Sequence, residues 1–168
     1  AELRDPAFAD HVAAAVARHG ITPDRLTIEI LETVAAETAD DQILHTLDAL
    51  REAGHRLELD DFGIGQASLA AVHRFGVTRL KIDRSFVTGV DEDPAQTRLI
   101  RAIVALAAER GVKVLAEGGE TAEEVAQLTR LGCTHLQGFR IGRPLKASKV
   151  VPWAKRRATA TAPSQAAS

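Results

Sequence analysis

Five charged side chains stand at comparable points along this chain, and their types suit phosphate-ester chemistry. Glu29, Asp60, Lys81 and Glu117 each lie near the C-terminal end of a short segment of strand character, and Asp61 directly follows Asp60. Charged groups are seldom taken out of water without a partner or a metal, so residues of this kind on one face predict a convergent site. Carboxylates with a single lysine suit Mg²⁺ or Mn²⁺, which prefer oxygen ligands, whereas catalytic Zn²⁺ draws on histidine. The six histidines (His11, His19, His45, His55, His73, His135) show no metal-ligand spacing. In an adjacent pair such as Asp60-Asp61, one carboxylate can bridge two ions while its neighbour turns to the second, and two-metal sites support in-line attack on phosphate esters. A DD pair before Phe-Gly is by itself more often a turn or a cap. Its place at the end of an inward-pointing strand favours the site.

The elements that must position these residues alternate along the chain. Strands are predicted at Leu26–Leu31, Arg56–Asp60, Thr78–Ile82, Val112–Glu117 and Thr134–Gln137. Between them lie helical signals: Asp5-Pro6 before an apolar face of Phe8, Val12 and Val16; Ile43, Leu44, Leu47 and Leu50 at helical spacing; Asp93-Pro94; and a capping box at Thr121–Glu124. Such alternation predicts parallel βαβ units. Successive strand side chains point to opposite faces. Ile28 and Ile30 therefore oppose Glu29, Leu57 and Leu59 oppose Glu58 and Asp60, and Leu80 and Ile82 oppose Lys81. A solvated antiparallel sheet would carry the same pattern, but helices between the strands favour an apolar face under helices and a polar face lining an interior. In (β/α) barrels the C-terminal strand ends carry the chemistry.

Composition sets the outer bounds. With 168 residues, 45% hydrophobic and 26% charged, the chain can bury a sizeable core. One cysteine forms no internal disulfide, which points to a reducing, cytoplasmic compartment. Cys133 is expected near a strand start, and Trp153 is expected to pack the final helix. No apolar run reaches the length of a membrane span. A net charge of −2 gives no nucleic-acid footprint. Residues from about Lys155 lack periodicity, so the expected division is a domain over 1–152 and a disordered tail over 153–168.

Several blocks together resemble the EAL domain family. They are Asp60-Asp61-Phe62-Gly63-Ile64-Gly65, Leu80 to Val87 (LKIDRSFV), Ala116 to Thr121 (AEGGET), and Gln137-Gly138-Phe139 with Gly142-Arg143-Pro144-Leu145. Leu26 to Thr33 (LTIEILET) resembles the family's earlier strand, and the likeness extends to about Pro152. The resemblance implies a cyclic di-GMP phosphodiesterase that yields linear pGpG on a modified TIM barrel, with two Mg²⁺ or Mn²⁺ ions. It implies Glu29, Asp60, Asp61 and Glu117 as metal ligands, with Asp60 bridging, and Lys81 and Glu117 as catalytic groups. It also implies Glu120 and Gln137 at the substrate, and Glu32 as anchor of the loop after Asp61. A homodimer is implied too, with an upstream GGDEF or sensor domain in the parent, whose attachment to a membrane is left open.

The chain also departs from the family pattern. It contains neither the Glu-Ala-Leu signature nor the Asn-x-Ser strand, each of which supplies a ligand in the family. A full (β/α)₈ barrel has about 250 residues. The expected fold is therefore an α/β, incomplete TIM-like barrel of the EAL type lacking its first two βα units, with little catalysis in this polypeptide alone. Ile64 and Gln66-Ala67 replace a threonine and a Tyr-Ser pair, Gly119 replaces a valine, and Glu58 points inward where the family has a small residue. These changes support an alternative: a module that binds cyclic di-GMP or a protein partner without hydrolysis. An unrelated metal-dependent (β/α) enzyme is a weaker option.

Overall fold

The computed structural model describes residues 2–36, 40–64 and 69–161. Five parallel strands form one sheet: β1 (Thr27–Leu31), β2 (Arg56–Phe62), β3 (Arg79–Ile82), β4 (Lys113–Glu117) and β5 (His135–Gln137). Their spatial order is their sequence order, β1-β2-β3-β4-β5, every pairing being parallel. Parallel neighbours require crossover connections. Here these contain α2 (Glu32–Ala36) and α3 (Asp41–Glu52), then α4 (Leu69–Arg74), then α5 (Arg84–Val87) and α6 (Pro94–Glu109), then α7 (Ala122–Leu131). Helix α1 (Phe8–Arg18) precedes the sheet and α8 (Ala147–Thr161) follows it. A doubly wound sheet reverses its strand order at a switch point. This sheet never reverses, so its winding is that of a (β/α) barrel, as the alternation predicts.

The core lies between the apolar sheet face and the helices. Ile30, Leu57, Leu59, Leu80, Ile82, Val114 and Ala116 pack with Ile43, Leu47 and Leu50 of α3, Ile100 and Ile103 of α6, and Leu128 of α7. Leu50, Leu59, Leu80 and Ile100 are completely buried. Removing a side chain such as Leu59 costs about 2–5 kcal/mol in cores of this kind.

The helix-start signals hold at three places. The Asp40 carboxylate accepts from the Gln42 and Ile43 amides, Asp93 accepts from Ala95, and Thr121 and Glu124 form a reciprocal capping box. At the fourth, the Asp5 carboxylate accepts from the Ala7 amide in a turn, so α1 begins only at Phe8. Three short helices, α2, α4 and α5, were not expected. The C-terminal expectation needs correction as well. Helix α8 continues to Thr161, through the segment from Lys155 read as a disordered tail, because Trp153 and Arg157 tie it back to Gly142 and Ile141. No helix among the described residues is long and apolar enough to cross a membrane.

Candidate active site

The period-two alternation brings four of the five predicted charges to one point. Lys81, on the polar face of β3, is only 5% exposed. Its ammonium donates to Glu29 Oε1 on β1 at 3.0 Å, to Asp60 Oδ1 on β2 at 2.9 Å and to Glu117 Oε1 on β4 at 2.9 Å. Burial pulls against this charge. The hydrogen bonds it donates to Asp60, Glu117 and Glu29 outweigh it and hold the ammonium above the usual lysine range.

Asp61 joins through a local break in the sheet. Register runs Glu58↔Arg79 and Leu59↔Leu80 and resumes at Phe62↔Ile82, so β2 holds one more residue than β3 over the interval. That extra residue is absorbed at Asp61, the only non-glycine with positive φ (57°) among the described residues. Bulges re-aim side chains in this way, and aspartate is among the few residues that tolerate the left-handed region. Consecutive carboxylates, which a regular strand would point apart, now cooperate: oxygens of Asp60, Asp61 and Glu117 all lie within 4.8 Å of one another. Burial first, then the neighbouring Asp60, raises the Asp61 carboxyl above its ordinary range.

The other predicted site residues stand around this centre. Glu32, 3% exposed, accepts from the Gly63 amide at 3.0 Å and so holds the backbone after Asp61. Gly63 has φ 109°, and a Cβ there would strike the Phe86 ring. Glu120 pairs with Arg84 of α5 at 2.9 Å. It shares a cleft of about 390 Å³ with Arg84, Glu117, Gln137, Phe139 and Arg143. The Arg143 guanidinium lies 4.6 Å from the Phe139 ring centre. The Gln137 carbonyl accepts from the Gly118 and Gly119 amides. That close approach of strand ends exists because Gly138 has no side chain: a Cβ would collide with the Gly119 backbone.

Three structural residues escaped the sequence reading. Glu124, seen only as a capping residue, also accepts from the Gly89 amide at 2.9 Å and from the Glu120 amide at 2.9 Å, tying the α5–α6 connection to the loop that carries Glu120. Arg79 meets the buried Glu58 at 2.7 Å, and its other nitrogen lies 3.3 Å from His135 Nε2. For Arg79 and His135 the signal was the same alternation, two positions before Lys81 and Gln137.

With this geometry in place, comparison with known proteins gives a family. The EAL domain profile matches residues 1–144, and the chain belongs to that family. It is 39% identical over 142 residues to the bifunctional diguanylate cyclase/cyclic di-GMP phosphodiesterase MucR of Pseudomonas aeruginosa, covering 84% of this chain and 21% of that protein. Among solved structures it resembles the PaMucR phosphodiesterase in complex with c-di-GMP: TM-score 0.82, 38% identity, 89% of this chain and 60% of that one. It also resembles the manganese/cyclic di-GMP complex of Klebsiella pneumoniae BlrP1: TM-score 0.77, 32% identity, 83% of this chain and 35% of that one. The chain spans about a fifth of the length of the first curated relatives it matches.

Proposed function

We propose that this chain carries the metal- and phosphodiester-binding strand ends of a cyclic di-GMP phosphodiesterase, which opens one phosphodiester of the ring to give linear pGpG. The observation that carries this reading is the gathering of Asp60, Asp61 and Glu117 oxygens within 4.8 Å beside Lys81. The donor set fits the implied ions. It is all carboxylate oxygen, as Mg²⁺ and Mn²⁺ prefer, and its negative surplus, with the raised Asp61 carboxyl, is what a bound cation would relieve. The relatives named as cyclic di-GMP phosphodiesterases and the manganese complex of BlrP1 point the same way.

In this reading Glu29, Asp60, Asp61 and Glu117 are the side chains that would hold two divalent ions. When bound, they would neutralise phosphate charge and make a water acidic enough to attack at neutral pH. Lys81, fixed by three acceptors and fully charged, offers its positive charge to the phosphate or the attacking water. Glu120 and Gln137 face the dinucleotide from the adjoining cleft, and Glu32 steadies the loop after Asp61 through Gly63. A homodimer through this domain, and an upstream GGDEF or sensor domain in a cytoplasmic parent, belong to the same reading.

A second reading, binding of cyclic di-GMP or a protein partner without hydrolysis, has its own observation. Ile64, on the loop after Asp61, is 63% exposed, an apolar side chain beside a phosphate site. One assay separates the two: pGpG release from cyclic di-GMP with Mg²⁺ or Mn²⁺, by the chain in its natural full-length context. Metal-dependent release that Asp60→Asn abolishes supports the first reading. Saturable binding without release supports the second, and neither binding nor release contradicts both.

A further inference from the structure

Charge is distributed very unevenly along this near-neutral chain. All 23 Asp and Glu residues lie at or before Glu124, whereas the 44 residues after it carry eight Lys and Arg and no acid. The fold gathers most of that charge on one element. Lys149, Lys155, Arg156 and Arg157 lie on α8, Arg143 and Lys146 lead into it, and all six are exposed. An aliphatic side chain stands among them: Val151 is 61% exposed, whereas Val150, 44% exposed, borders the cavity that Trp153 and Ile141 line. The helix is fastened to the domain through Trp153 and Arg157, which leaves Lys149, Lys155 and Arg156 as its other exposed basic side chains. Trp153 seats against Gly142, and the Arg157 guanidinium lies over its ring at 5.7 Å while donating to the Ile141 carbonyl at 2.7 Å.

We propose that α8 and its lead-in form a docking surface for anionic lipid headgroups, lying along a bilayer rather than crossing it. Basic side chains on a surface helix are drawn to the negative potential of anionic lipid, and an exposed valine among them gains by entering the acyl boundary. A nucleic acid would reward a different surface. Sequence-independent binders add open aromatic faces on which bases stack, and here the two rings beside the basic side chains, Trp153 and Phe139, each have a guanidinium over them, Arg157 and Arg143. The rest of the chain orients the contact: residues 1–124 hold 23 acidic and 13 basic side chains, so the same lipid surface repels them.

The sequence supplies its own probe, since Trp153 is the only tryptophan and there is no tyrosine. The chain is mixed with vesicles of phosphatidylcholine alone or with phosphatidylglycerol added, then followed by co-sedimentation and Trp153 emission. The expected result is binding to phosphatidylglycerol vesicles alone, with a change in emission, reversed in about 0.5 M NaCl. Lys149→Glu/Lys155→Glu/Arg156→Glu should weaken it at least about tenfold with the circular dichroism spectrum intact. Should that variant misfold, Val151→Asn should still weaken binding severalfold. Equal binding to phosphatidylcholine, no sedimentation, or wild-type binding by Val151→Asn or by a folded charge-reversed chain would overturn the proposal. So would tighter binding to single-stranded RNA than to the vesicles at the same salt.

Discussion

Two charged clusters share the polar face of the sheet, one at the strand ends and one a step deeper, and they are composed differently. At the ends Glu29, Asp60 and Glu117 close on Lys81 while Asp61 stands beside them, so four carboxylates face one ammonium. Deeper in, Glu58 meets Arg79, and His135 completes the set. A guanidinium only donates, so His135 Nε2 must accept from Arg79, leaving Nδ1–H to donate to Thr134 Oγ1 at 3.0 Å. The deeper set is balanced, one anion to one cation, which is what a buried pair needs to persist. The set at the ends has surplus negative charge and a non-glycine residue in left-handed backbone, costing about 1–3 kcal/mol. Folding alone does not reward that combination, whereas a cation held there, as proposed, would.

The difference can be broken by matched substitutions. The largest effect is expected from Asp60→Asn, which removes one charge from the crowded end. On the proposed hydrolytic reading, turnover of cyclic di-GMP by the full-length protein should fall at least about a hundredfold while the melting temperature holds or rises. The deeper cluster should respond in the opposite sense. Glu58→Ala leaves Arg79 without its carboxylate and should cost about 3 kcal/mol in denaturant unfolding, whereas Glu58→Leu/Arg79→Met should recover most of that loss.

The smallest expected effect is a pH dependence. Burial, with Arg79 and Lys113, lowers the His135 pKa below its ordinary 6.5, and Glu58 pulls the other way. The folded chain therefore binds this proton less readily than the unfolded one. Its contribution is complete above about pH 6.5 and is lost as pH falls through that value towards the folded pKa. Between about pH 7.5 and 5.5, His135→Gln should lose less melting temperature than wild type. An equal loss would mean that the imidazole carries no linkage.

The strand-end cluster was largely legible in the sequence, because a period of two fixes which side chains share a face and chain order fixes which ends they share. Glu29, Asp60, Lys81 and Glu117 needed only that. Asp61 needed more. Its approach depends on a register slip between β2 and β3, a pairing property that no local pattern encodes. Arg79 and His135 stayed hidden because each is an ordinary strand-start residue until β3, β4 and β5 are laid side by side. The continuation of α8 past Lys155 was missed for a similar reason, since Trp153 and Arg157 hold it by tertiary contacts rather than by helical periodicity.

The most direct test of the surplus-carboxylate account is a calorimetric titration of Mn²⁺ into this chain and its Asp60→Asn and Glu58→Gln variants. The account predicts saturable binding reversed by EDTA, weakened at least about tenfold by Asp60→Asn and little changed by Glu58→Gln. Absence of Mn²⁺ binding, or equal affinity in wild type and Asp60→Asn, would contradict it.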